Sequence, residues 1–126
     1  MVDSGLLIAM LEDGTQFDVL QGNLYGYKGA IVENLAADIL TKMGRKLYYF
    51  HKESGLEIGF VMRHAGQSFL LEVKAYTGNT KSAKTVLNHP EKYHVGGAIK
   101  LGDYNVGRTE KILTLPFYMA FLLEHY

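Results

Sequence analysis

The chain contains no cysteine. That excludes disulfides, thiolate zinc sites and cysteine nucleophiles together, and a reducing, cytoplasmic setting is the compartment that fits. No apolar run approaches the roughly 20 residues of a membrane-spanning helix, so no membrane association is expected. The opening Met1-Val2-Asp3-Ser4 lacks the basic region and cleavage site of a signal peptide. Charge of one sign is missing too. With 13 basic and 13 acidic side chains, no global field draws the protein to nucleic acid or to an anionic membrane, although a local patch is independent of net charge. The five histidines include no i, i+4 pair of the kind that makes a helical zinc site, so each reads as a surface or packing residue. No G-x-x-x-x-G-K-[ST] segment occurs, which removes a Walker A loop. Internal repeats and low-complexity stretches are absent as well.

What is present is one compact domain's worth of chain: 126 residues, 48% hydrophobic, enough to bury a core. Asp3 or Ser4 caps a short apolar helix from about Gly5 to Leu11, closed by Asp13-Gly14. Thr15 to Gly29 is rich in glycine and aromatics without a clear period, so residues 1–28 form a lead-in helix and loop. From Ala30 to Met43, Val32, Leu35, Ala36, Ile39, Leu40 and Met43 make one apolar arc, and Gly44 is the natural stop. Lys46 to His51 reads as an aromatic strand. A helix from Asn79 to about Asn88 ends before Pro90. Val95 to Leu101 and Lys111 to Leu115 are further strands, and Pro116 opens a last helix, Phe117 to about Glu124. This order predicts an α/β (α+β) domain with a central mixed sheet flanked by helices.

The chemistry is concentrated in two segments, Leu56-Glu57-Ile58-Gly59-Phe60-Val61 and Phe69-Leu70-Leu71-Glu72-Val73-Lys74. The short glycine-containing connection between them predicts an antiparallel hairpin. Period-two alternation then puts Glu57 and Gly59 on one face of the first strand, and Glu72 and Lys74 on the matching face of the second. Carboxylates beside a lysine suit metal-assisted phosphodiester chemistry, the carboxylates holding a hard cation and the lysine orienting water. A cross-strand charge pair on a solvated face is the alternative. On the Ala30–Met43 helix, Glu33 lies about 20° from Leu40, at the border of the apolar arc. It reads either as a carboxylate reaching over the sheet edge or as a first-turn glutamate favoured by the helix dipole.

A helix with Glu33, a strand with an acid and a strand with Glu72-Val73-Lys74 resemble, in order, the restriction-endonuclease-like or PD-(D/E)XK nuclease core. More closely, the chain resembles the C-terminal domain of unknown function that follows an AAA-type ATPase module in bacterial and archaeal proteins. The matching stretches include Tyr27-Lys28-Gly29-Ala30-Ile31-Val32-Glu33-Asn34, Leu56-Glu57-Ile58-Gly59-Phe60, Leu71-Glu72-Val73-Lys74, Ala98-Ile99-Lys100-Leu101-Gly102 and Leu113-Thr114-Leu115-Pro116. The resemblance implies a restriction-endonuclease-like fold over residues 1–126, with no ATPase module in this chain. It implies Glu33, Glu72 and Glu57 as ligands for magnesium or manganese where the site is active, and Lys74, Glu72 and Glu57 as catalytic groups. The chain departs from that family at Gly59, where the resemblance implies an aspartate ligand. Glycine offers no side-chain oxygen, and Glu57 is about 6–7 Å away along the strand. Metal geometry tolerates only a few tenths of an ångström.

Three functions follow. A degenerate nuclease-like accessory or regulatory domain would contact an AAA-type ATPase module, another protein or DNA. A divalent-metal-dependent DNA nuclease would use Glu33, Glu57, Glu72 and Lys74. A structural oligomerisation domain would use the apolar terminal segments, Leu6–Leu11 and Phe117–Leu123, which pack on each other or on a second copy. Tyr25, Tyr27, Tyr48, Tyr49 and Tyr76 either stack on bases or, as is commoner, fill a core or a protein interface.

Overall fold

A computed structural model of the chain describes residues 3–11, 13–23, 28–52, 56–64, 66–75 and 81–125, the side chains of residues 50–52, 56–58, 81 and 82 excepted. The first helix, α1 (Ser4–Ala9), begins where Asp3 Oδ1 accepts the Leu6 N–H at 2.9 Å, a cap worth about 1 kcal/mol. The stretch expected as loop contains a second helix, α2 (Thr15–Gln21). Gly14 and Gly22, at φ +97° and +76°, turn the chain into and out of it, a conformation open to a residue without Cβ. Phe17 and Leu20 on α2 face solvent and its buried residue is Thr15. No core-facing apolar stripe therefore marks this helix in the sequence.

The long helix is α3 (Lys28–Lys42), which buries Ile31, Ala36 and Leu40 but leaves Leu35 exposed. It ends in a Schellman turn: the Arg45 N–H reaches Leu40 O and the Gly44 N–H reaches Thr41 O, both at 2.9 Å, with Gly44 at φ +78°.

Six strands follow: β1 (Leu47–Lys52), β2 (Leu56–His64), β3 (Gln67–Lys74), β4 (Val95–Gly102), β5 (Gly107–Arg108) and β6 (Ile112–Pro116). They form one mixed sheet in the order β1-β2-β3-β4-β6-β5. As expected from the short connection, β2 and β3 are an antiparallel hairpin, closed by the pair His64–Gln67 with Gly66 at φ +79°. β3, β4 and β6 run parallel. Between β3 and β4 lie α4 (Lys81–Leu87) and a single turn, α5 (Pro90–Tyr93). Pro90 thus opens a helix as well as following one.

Two irregularities shape the sheet around the acidic segments. The β1–β2 register passes from Tyr48–Val61 to Phe50–Ile58, so Gly59 and Phe60 together stand opposite Tyr49 in a bulge. The β2–β3 ladder has its last pair at Phe60–Leu71, whereas β1–β2 pairing continues to Lys52–Leu56. The first half of β2 thus stays with β1, and β3 beyond Leu71 pairs with β4, through Glu72–Lys100, Val73–Leu101 and Lys74–Gly102. The uniform alternation expected along β2 is interrupted at Gly59.

Helices cover both faces. Leu71, Val73, Ile99, Leu101 and Leu115 pack against Ala36 and Leu40 of α3 and Ala120 and Leu123 of the last helix. Leu70 and Ala98, on the other face, pack against Ala83, Val86 and Leu87 of α4. The last helix (Phe117–Glu124) is 3-10 rather than α. Its inward residues Phe117, Ala120 and Leu123 recur every third position, the period of that helix. Both apolar ends of the described chain lean on α3: the terminal helix through this core, and α1 through an Asn34 Nδ2 to Ser4 Oγ hydrogen bond of 3.0 Å. Arg45 ties the terminal helix down, donating to Leu123 O at 2.8 Å and Glu124 O at 3.3 Å. No helix of the described residues is long and apolar enough to cross a membrane.

Candidate functional site

Alternation along β3 places Glu72 and Lys74 on the face opposite Leu71 and Val73, and the two side chains meet. Lys74 Nζ lies 3.2 Å from Glu72 Oε1. The Glu72 side chain is only 7% exposed and that of Lys74 38%, so the carboxylate is held inside and its partner reaches toward water. Glu72 Oε2 is buried and has no hydrogen-bond partner among the described residues. A buried carboxylate oxygen without a donor is costly, which marks this position as more than a solvated charge pair.

The neighbouring strand adds a cation and a ring that the sequence reading passed over. Lys100 is the register partner of Glu72, and its Nζ stands 4.2 Å from the centroid of the Tyr104 ring, a cation–π contact. The ring folds back over Gly102. A Cβ at Gly102 would collide with the Tyr104 ring and come within 2.9 Å of Lys74 O. The signal was legible as Lys100-x-Gly102-x-Tyr104 after an apolar strand, but only the fold shows that the ring turns back. Asp38 was missed as well. It is buried on α3 with Oδ2 at 2.8 Å from Lys42 Nζ, and its Oδ1 has no partner among the described residues. The i, i+4 spacing of Asp38 and Lys42 was its sequence trace.

The other expected ligands are placed less closely. Glu33 is half-buried on α3, the helix that covers the Leu71–Val73 face, so it belongs to the opposite layer of the sheet from Glu72. Backbone pairing sets Glu57 opposite His51. The Glu57 side chain lies outside the described residues. Gly59 occupies the bulge, and a Cβ built on it would meet Leu71 O at 3.4 Å, an ordinary contact. A Cβ is therefore accommodated there. Of the tyrosines expected near the site, Tyr48 and Tyr49 are exposed rather than in the core; Tyr25, Tyr27 and Tyr76 lie outside the described residues. Among the described residues, no three His, Asp or Glu side chains are grouped to hold a metal ion. Glu72 offers one hard oxygen donor, and the described residues do not complete a divalent ion's shell around it.

Beyond the carboxyl ends of β3, β4 and β6 lies a cleft of about 490 Å³, bordered by Val32 of α3, Ala75, Gly102, Tyr104 and Phe117. In open α/β sheets, that end of parallel strands is where ligands bind. Gly102 in the cleft's border is the register partner of Lys74 in β3.

The fold and this site define a three-layer α/β domain in which a buried glutamate pairs with a half-exposed lysine on a central strand. Residues 28–118 match the family described as a domain of unknown function (DUF4143). The chain belongs to that family. No curated protein and no solved structure matches it.

Proposed function

We propose that this chain is an accessory or regulatory domain on a restriction-endonuclease-like (PD-(D/E)XK) scaffold, with a degenerate metal site, acting with an AAA-type ATPase module by contacting protein or DNA. The observation that carries this reading is the Glu72–Lys74 pair, at the place where β2 leaves β3 and Gly59 supplies no side chain. The mixed sheet with α3 on one face and α4 on the other supports the scaffold. Exposed Leu6 on α1, Met10 just after it, and Phe17 and Leu20 on α2 support a protein contact.

The orphaned Oε2 of Glu72 favours one second reading, a divalent-metal-dependent DNA nuclease in which Glu57 and Glu33 complete the shell, Glu33 having to reach past the sheet edge from the α3 layer. Calorimetric titration with manganese separates the two. No binding up to millimolar metal is the expected result. Micromolar binding lost in Glu72→Ala, together with metal-dependent cleavage of linear DNA lost in Lys74→Ala, would replace the accessory reading with the enzyme.

A further inference from the structure

The cleft at the carboxyl ends of β3, β4 and β6 has the size of a small-molecule site, about 490 Å³ against a usual range of about 300–1,000 Å³. Its aromatic wall is built rather than incidental. The Lys100 ammonium stands 4.2 Å from the centroid of the Tyr104 ring, and the Cδ2–Cε2 edge of the ring lies against the bare backbone of Gly102, where a Cβ would displace it. Phe117 stands in the cleft wall, and Tyr118, 80% exposed, forms its rim. A ring fixed as Tyr104 is favours a flat, polarisable ligand, since stacking on it then needs no reordering of the protein. Among the described residues, Lys28, Asp103 and Asn105 bring charged and amide side chains to the border. A carboxylate only accepts hydrogen bonds, whereas a carboxamide both donates and accepts. Together they suit the edge of a heterocycle that carries an exocyclic amino group. Lys28, on the α3 side, is the complement of a phosphate.

We infer that this cleft binds one nucleotide with an amino-bearing base, its ring against Tyr104, its amino edge toward Asp103 and Asn105, and its phosphate toward Lys28. The ligand is either a free mononucleotide or the exposed base of a single strand. The inference goes beyond the accessory reading and needs no metal.

The test is calorimetry on the full chain, with EDTA present so that metal binding at Glu72 and nucleotide binding at Tyr104 succeed or fail separately. The probes are 2′-deoxyadenosine monophosphate (dAMP), thymidine monophosphate and a short single-stranded oligodeoxyadenylate. dAMP is expected to bind at millimolar concentration or tighter, and thymidine monophosphate several-fold more weakly. Tyr104→Leu is expected to weaken dAMP about tenfold, within the range for loss of one base–aromatic stack, while Tyr104→Phe retains it. Asp103→Asn, at an exposed loop position, is expected to remove the preference for the amino-bearing base, and it decides the matter if Tyr104→Leu does not fold. Strand binding competed by dAMP identifies a single strand as the source. dAMP binding without strand binding identifies the free nucleotide. The inference is overturned if wild type binds neither probe, if strand binding is not competed by dAMP, or if neither substitution changes affinity or preference.

Discussion

Lys74 Nζ stands 3.2 Å from Glu72 Oε1, and the two ends of that contact live in different surroundings: the carboxylate is buried while the ammonium is 38% exposed. Removing the lysine leaves a buried charge without its partner. A fully buried pair broken in this way costs about 3–5 kcal/mol. Partial solvation of Lys74 lowers the expectation for Lys74→Ala to about 1–2 kcal/mol. The check is the urea midpoint at unchanged slope. Adding Glu72→Gln should recover part of the loss. A double variant no more stable than Lys74→Ala would mean that burial of Glu72 is balanced elsewhere.

Gly59→Asp should tighten manganese binding, since it places a second carboxylate in the bulge next to the Glu72 strand, where the added Cβ meets, among the described residues, Leu71 O at 3.4 Å. Cleavage of linear duplex and single-stranded DNA is expected to stay low in magnesium for wild type and variant alike, because substrate contacts are a separate requirement from a ligand. Unchanged metal affinity in the variant would show that position 59 does not face Glu72.

Arg45 joins three parts of the fold, donating to Leu123 O and Glu124 O and sharing a 3.1 Å hydrogen bond with His64 Nδ1. Arg45→Ala should destabilise the protein by about 1–3 kcal/mol, the range for hydrogen bonds from a charged donor. The loss should be local first. Amide exchange in residues 120–125 is expected to rise before that of β3 or β4, and equal acceleration everywhere would contradict a local clamp.

Two glycines should respond in opposite directions. Gly102→Ala forces a methyl into the Tyr104 ring and toward Lys74 O, 2.9 Å away, and overpacking of this kind costs about 1–3 kcal/mol. Gly29, in the first turn of α3, has no described atom within 4 Å of an added Cβ and no left-handed φ. Gly29→Ala should therefore stabilise by about 0.5 kcal/mol through backbone entropy. Thermal melts of the two single variants make the comparison.

The hydrogen bond to Asp38 holds the Lys42 ammonium above its ordinary pKa of 10.5. A raised folded pKa stabilises fully below the unfolded value and is lost as pH rises through the folded one. Stability should therefore decline in the alkaline range above about pH 10.5, and Lys42→Met should flatten that part of the profile, read by urea denaturation at successive pH values.

The sequence by itself determined the local elements and their sides. The apolar arc of α3, its stop at Gly44, the β2–β3 hairpin and the shared face of Glu72 and Lys74 all follow from period and turn chemistry acting over a few residues. Tertiary structure alone decided what depends on partners distant in the chain. The bulge at Gly59 lies where the pairing of β2 with β3 ends, at Phe60–Leu71, while its pairing with β1 continues to Lys52–Leu56. Glu33 belongs to the layer opposite Glu72 because Ala36 and Leu40 dock on Leu71 and Val73, which no helical wheel specifies. α2 went unread because its apolar residues never enter the core. The cleft beside Tyr104 arises where three parallel strands end together, and it brings residues from positions 28 to 118 to one place. That convergence is set by strand order, a property of the packed sheet and not of any local run of residues.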